Sequence, residues 1–204
     1  MPTIRTDALT TLARAKMFLS ISGDTYDGIL TMLINQVTGY LESYLKRPIK
    51  QATYTHELYN GTGTNKLILK TYPVASITSI EERNSPDNVD EWTTINSQYY
   101  QVDLDNGVVT YTAGRFIETP NRYRITYIAG YLIDFNNEAN SSLHTLPQEL
   151  EYVCHKLISA VFNTRKGEGI TSQKVGDISV VYNQTVFGSK EISDILEGFT
   201  TPTV

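Results

Sequence analysis

The longest helical pattern in the chain runs from Asp24 to Arg47, DTYDGILTMLINQVTGYLESYLKR. Apolar side chains recur at Ile29, Leu33, Ile34, Val37, Tyr40, Leu41, Tyr44 and Leu45, the spacing of one broad helical stripe. Asp24 and Asp27 fall at the positive end of the helix dipole and Lys46 and Arg47 at the negative end. Pro48 stops the element by forcing its predecessor out of helical geometry. Gly39, which costs about 1 kcal/mol in a helix interior, marks a close approach to a neighbouring helix. A shorter pattern from about Asp7 to Leu19, with Leu9, Leu12, Lys16 and Leu19 on one face, predicts a first helix capped by Thr6 or Asp7. The Ser22-Gly23-Asp24 turn is short enough to fold the two helices into a hairpin.

Beyond Pro48 the period changes from helical to alternating. Tyr54, His56 and Leu58 share one face of a predicted strand. Asn60-Gly61-Thr62-Gly63 is a turn, Lys66–Lys70 a short strand closed by Tyr72-Pro73, and Ala75–Glu82 a third strand anchored by Ile77 and Ile80. After a polar loop from Asn84 to Glu91, Gln98–Leu104 alternates and Asn106-Gly107 signals a hairpin into Val108–Tyr111. Arg122–Ile128 alternates again, with Tyr123, Ile125 and Tyr127 inward. Short strands joined by tight turns predict a small antiparallel sandwich or barrel.

The helical period returns at Leu146, Leu150, Val153, Leu157, Ile158 and Val161, with Pro147 in the first turn, Glu149 and Glu151 near the start, and Gly167 and Gly169 at the end. The sequence therefore predicts an α+β fold. A helical bundle of residues 1–48 and 146–170 carries an antiparallel β module, 49–131, inserted between helices two and three. Residues 132–145 form a linker. A C-terminal strand and short helix in 171–204 serve as a partner-binding arm. Ile178, Val180 and Tyr182 alternate in that arm, and Ile192, Ile195, Leu196 and Phe199 form an apolar side on its final helix.

Charge and composition narrow the function. The chain has 204 residues, is 40% hydrophobic and 19% charged, and carries a net charge of −5. A weakly acidic surface is suited to letting DNA slide past and poorly suited to holding it, since phosphate binding needs a basic patch. The opening MPTIRTDAL has no apolar core of a signal peptide, and no run reaches the roughly 20 apolar residues of a membrane span. Synthesis in the cytoplasm, without a membrane, is the expectation. One cysteine rules out an internal disulfide framework. The 14 tyrosines suit half-buried sheet faces and subunit interfaces.

Catalytic chemistry finds little support. Cys154 and His155 are adjacent, so on a helix they diverge by about 100° and cannot work as a thiolate–imidazole pair; Cys154 reads as a small buried hydrophobe. His56, His144 and His155 lack metal-ligand spacing, and no cofactor is implied. Gly61-Thr62-Gly63 lacks the Lys-Ser/Thr ending of a phosphate loop. Glu81, Glu82, Asp87, Asp90, Glu91, Asp103 and Asp105 lie close together with Arg83 as the one base among them. They read as a solvated face, as a repulsive lining for a DNA passage, or as a source of a carboxylate pair for glycoside hydrolysis. Arg115, Arg122 and Arg124 form a modest basic cluster able to face Asp103 and Asp105 of a neighbouring copy.

Three stretches in order resemble the head–tail connector (adaptor) family of long-tailed bacteriophages: LTTLARAKMFLSISGDTYDGILTMLINQVTGYLESYLKRPI; NGTGTNKLILKTYPVASITSI followed by RYRITYIAGY; and LPQELEYVCHKLISAVFNTRK followed by VGDISVVYN and a short final helix. One departure is the linker Leu132–Thr145, which is longer and richer in asparagine than the family pattern. The resemblance implies a structural, non-enzymatic virion protein, made in the bacterial host and placed in the neck. It would be a dodecameric ring beneath the portal, monomeric on its own, that extends the DNA channel and docks a stopper or tail-completion protein. Carried onto this chain, it makes Ile178, Val180, Tyr182, Ile192, Ile195, Leu196 and Phe199 candidates for portal contact. The alternatives are a β-sandwich module of a tail or baseplate that binds a host glycan or another structural protein, and a carbohydrate-active enzyme using Asp103 or Asp105.

Overall fold

In a computed structural model, residues 2–84, 91–165, 172–175, 178–181 and 189–200 are described. The chain divides into two compact units, Met1–Lys46 with Ile133–Thr201, and Arg47–Leu132.

The first unit is helical: α1 (Leu12–Phe18), α2 (Asp27–Leu45), α3 (Gln148–Thr164) and α4 (Lys190–Glu197). Its core comes from Leu9, Leu30, Ile34, Val37, Leu41, Leu150, Val153, Cys154, Leu157 and Ile158, each almost fully buried. α2 packs on α3, and both contact α1. Tyr26, just before α2, meets Phe162 near the end of α3 edge-on at 5.3 Å, so the two helices run antiparallel. The third apolar stripe thus joins the opening hairpin, as the separated periodicities require.

Helix α1 begins five residues later than the pattern predicts. Asp7 does not cap it, because Arg5 takes both its carboxylate oxygens, at 2.8 and 2.7 Å. Thr11 caps instead, accepting from the Arg14 amide. Arg5 also reaches Glu42 on α2 at 2.8 Å, and its guanidinium is the group a Cβ at Gly39 would meet, at 3.3 Å. The close approach at Gly39 is to this arginine, not to a second helix.

Helix α2 ends at Leu45 with Lys46 left-handed (φ 55°) as its C-cap. Arg47 is not a helix-end cation. It is buried in the second unit, its guanidinium 3.4 Å from the Tyr72 ring centroid. The buried stripe is Leu30, Leu33, Ile34, Val37, Leu41 and Leu45, whereas Ile29, Tyr40 and Tyr44, expected in it, are exposed.

The second unit is a sandwich. One sheet holds β1 (Ala52–Tyr59), β3 (Val74–Arg83), β4 (Trp92–Thr94) and β7 (Tyr123–Ala129) in the order β1-β7-β3-β4. The other holds β2 (Lys66–Ile68), β5 (Tyr100–Asp103) and β6 (Val108–Tyr111) in the order β2-β6-β5. Every pairing is antiparallel. Their shared core contains Tyr59, Leu67, Ile80, Val109, Phe116, Tyr123, Ile125 and Tyr127. The alternation of β7 matches the sequence pattern, with Tyr123, Ile125, Tyr127 and Ala129 fully buried.

Elsewhere the alternation is broken by bulges. His56 sits at φ 52° where the β1 register slips between Tyr54 and Glu57, so Tyr54, His56 and Leu58 do not share one face. A second slip between Ile77 and Ser79 lets Ile77 and Ile80, three residues apart, both face the core. The β5–β6 hairpin turns through four residues, with Gly107 at φ 66° and Asp103 bonded to Asn106. β4 was not foreseen, and the predicted loop Asn84–Glu91 lies largely outside the described residues.

Two strands follow α3: β8 (Ser172–Val175) pairs antiparallel with β9 (Ile178–Val181). The sequence pattern foresaw only the second of them.

Candidate assembly surfaces

The residues singled out for portal contact separate into two groups. Ile178 and Val180 lie on β9, opposite Val175 and Gln173 of β8; Tyr182 lies outside the described residues. On α4, Ile192 and Leu196 are buried (3% and 2% exposed), and α4 packs on α3. Ser189 caps α4, and Tyr152 of α3 holds Glu191 at 2.9 Å. Two of the four apolar residues therefore belong to the core of their own unit, while Ile195 and Phe199 are half-buried.

The charged candidates also separate. Arg122 donates to Glu82 at 2.8 Å, and Arg124 pairs with Glu81. Arg124 lies on β7 and Arg122 just before it, so both pairs reach across to β3 and already use two of the clustered acids and two of the clustered bases within one chain. Asp103 is held below the usual carboxylate range by the side chain and amide of Asn106. Arg115 is exposed, at an open cleft of about 440 Å³ formed with Gly63, Thr64, Asn65 and Gly114. Asp105 is exposed in the β5–β6 loop. No group of three or more His, Cys, Asp or Glu able to hold a metal occurs among the described residues, and no helix among them is long and apolar enough to cross a membrane.

The strongest polar feature was not foreseen. Glu151 on α3 is 5% exposed. Arg14 of α1 donates to both its carboxylate oxygens, at 2.5 and 2.6 Å, and reaches Glu138 at 2.9 Å. The Thr10 hydroxyl donates to Glu151 at 3.0 Å, so the 2.7 Å contact with His155 Nε2 places the ring hydrogen on that nitrogen. Phe18 stacks on His155 at 4.9 Å. Burial depresses the His155 pKa, Glu151 opposing the shift and Arg14 adding to it. The cluster ties α1, the 133–145 segment and α3 together, a structural function. Cys154, on the adjoining position, is fully buried with its thiol pKa pushed up by desolvation.

The most unusual surface is the outer side of α2. Ile29 (42%), Met32 (51%), Tyr40 (37%) and Tyr44 (38%) are exposed along it, together with Gly28, Gln36 and Ser43. Between Asp27 and Lys46 the one charged residue is Glu42, which is engaged by Arg5. On α1, Met17 is 77% exposed and borders an open groove of about 560 Å³ lined with Leu12, Ala13, Lys16 and Ile21. Soluble helices ordinarily carry charge on the side turned to water, so an uncharged outer face marks a surface made to be covered.

A family model described as head completion protein matches residues 8–198. No curated protein matches the chain. Among solved structures, a chain of the "Neck of empty GTA particle computed with C6 symmetry" aligns with a TM-score of 0.57 at 15% identity, covering 100% of this chain and 95% of that one. A chain of the "Virion of native gene transfer agent (GTA) particle" aligns with a TM-score of 0.52, also at 15% identity, over 99% and 94%. At such identity the likeness speaks for the fold. The family match spans every helix and strand described above: the chain belongs to the head completion protein family, and its role is that of a structural head–tail connector in the virion.

Proposed function

We propose that the protein assembles as a ring beneath the portal, extends the DNA channel, and presents a platform for a stopper or tail-completion protein. The observation that carries this reading is the full-length likeness to a neck chain whose particle was described with sixfold symmetry, which speaks for six or a multiple of six copies. Head-to-tail contacts that close by rotation build such a ring from one kind of subunit. The net charge of −5 suits a passage through which DNA moves without being held. The protein has no catalytic role in this reading and is made in the host cytoplasm.

Portal contact falls to the β8–β9 hairpin, with Ile178 and Val180 as its apolar residues, and to Ile195 and Phe199 on the outer side of α4. A two-stranded hairpin is marginal in water by itself and gains stability by joining a larger sheet or a partner surface. α4 packs back on α3, so its apolar side is shared between its own unit and the outer residues Ile195 and Phe199. Arg115 is the inter-subunit charge candidate whose side chain remains exposed, with Asp103 and Asp105 as its acidic counterparts; Arg122 and Arg124 act within the chain.

The test is to mix the purified protein with its portal and image the product. A ring stacked coaxially on the portal is the expected result. Failure to bind, or binding as single copies at the portal rim, would overturn the reading. Replacing 172–181 with a Gly/Ser linker should abolish portal binding while leaving the helical unit folded.

A further inference from the structure

We infer that the uncharged outer face of α2 is one half of the contact between neighbouring copies, and that the α1 groove of the next copy is the other half. This rests on the ring reading above. Three observations carry it.

The first is charge. Gly28, Ile29, Met32 and Gln36 present about two and a half turns of exposed helix without a charged group. DNA gains nothing from such a surface, and a strongly charged protein partner would leave its own charges desolvated against it. An apolar surface on another protein fits.

The second is that a head-to-tail contact requires two different patches on the same chain, and the helical unit has both. The α2 face offers projecting side chains, with Met32 the most exposed of them (51%). The α1 groove is lined beside Met17 by Leu12, Ala13, Ile21 and the stem of Lys16, whose ammonium is held by Asp27 at 2.7 Å. Methionines on both patches can repack against an imperfect partner. Gly28 supports the same assignment, since a Cβ there would meet nothing within 4 Å. Nothing among the described residues requires glycine at that position, and a close second backbone would.

The third is size. The exposed parts of Ile29, Met32 and Tyr44 on the α2 face amount to at most a few hundred Å² of apolar surface, below the roughly 800 Å² that each partner of a stable complex buries. Such a contact closes a ring only where another surface holds the copies side by side. The expected behaviour is a monomer at micromolar concentration that becomes a ring on its portal.

Disulfide trapping separates the possibilities. The native Cys154 is buried and stays silent. Met32→Cys and Ala13→Cys are made singly and together in the full chain, bound to portal, mildly oxidised, and run on a non-reducing gel. The double variant should give a ladder of covalent oligomers. An equimolar mixture of the two single variants should stop at dimers, and each single variant alone should give none. Dimers from Met32→Cys alone would mean that α2 pairs with α2, which overturns the inference. Rings seen by microscopy without any ladder would also overturn it, leaving the ring reading intact, with the α2 face covered by another neck protein. A ladder without rings would sustain the contact and overturn the ring. Neither ladder nor ring overturns both. Met32→Lys, with unchanged helical circular dichroism, should reduce ring yield at least tenfold.

Discussion

Replacing Glu151 with Gln tests whether the Arg14 cluster organises the helical unit. The substitution keeps the shape, removes the charge, and turns an amide donor toward a guanidinium that is itself a donor. Breaking a buried ion pair from one side costs about 3–5 kcal/mol. Arg14 is a third exposed (32%) and keeps Glu138 at 2.9 Å, so solvent and the second carboxylate reduce the loss to about 2–3 kcal/mol. At about 2–4 °C per kcal/mol for a chain of this size, the helical transition should fall by roughly 5–10 °C. The assay has a built-in control: ellipticity at 222 nm reports mainly the helices, whereas Trp92, the one tryptophan, lies on β4 of the sandwich. The double variant Arg14→Met/Glu151→Leu, which removes both charges and adds apolar volume, should recover to within about 1 kcal/mol of the parent, because an ion pair replaced as a whole by packed apolar groups is close to neutral. A loss below 1 kcal/mol for Glu151→Gln, or a double variant as unstable as the sum of its parts, would refute the reasoning.

Acid should weaken the same unit through His155. Its folded pKa is depressed, so the stability it contributes is complete above the ordinary histidine value of about 6.5 and is lost as pH falls through the folded value; His155→Gln should flatten that slope in denaturant titrations at pH 7.5 and 5. Gly61→Ala would place a Cβ 1.6 Å from the Ile117 carbonyl oxygen, a backbone clash expected to cost about 3 kcal/mol or more, read from Trp92 fluorescence. Gly28→Ala should raise the monomer's stability by about 0.5–1 kcal/mol while lowering ring yield, a combination that core packing alone would not produce. Removing 189–204 should destabilise the helical unit by several kcal/mol, because Ile192 and Leu196 leave the core; replacing only 172–181 should not.

The sequence pattern shows the two chemistries of the fold clearly and their details less so. The alternation of Tyr123, Ile125 and Tyr127 is legible because β7 is the inner strand between β1 and β3 and is buried on the core side at every second residue. β1 is misleading because the bulge at His56 inverts the faces midway, and no residue type there announces it: histidine at positive φ carries no sequence mark comparable to glycine's. The start of α1 was displaced because Asp7 is an acceptable cap until Arg5, two residues away, takes its carboxylate. The Arg14–Glu151 pair joins residues 137 positions apart, a separation that no local pattern reaches.

On the contact proposed above, the outer face of α2 illustrates why assembly surfaces are harder to read than cores. The helical repeat places Ile29, Tyr40 and Tyr44 beside the stripe of Leu30, Ile34, Val37 and Leu41, and hydrophobicity alone merges the two into one wide face. What distinguishes them is the arc left over. A helix buried on one side in a monomer spends its remaining arc on charged residues, and α2 offers only Glu42 between Asp27 and Lys46. Its apolar arc is therefore too wide for one partner, and α1 and α3 occupy the side formed by Leu30, Ile34 and Leu41. For a connector this division has a physical use. On the reading proposed above, the core residues hold the subunit together before assembly, while the outer face is too small to drive association by itself, so rings are expected to close where a template gathers the copies. Enlarging that face, for instance by Gln36→Leu, should produce portal-free oligomers in sedimentation experiments at concentrations where the parent remains monomeric. If Gln36→Leu stays monomeric and binds portal as the parent does, the face is not the one by which copies meet.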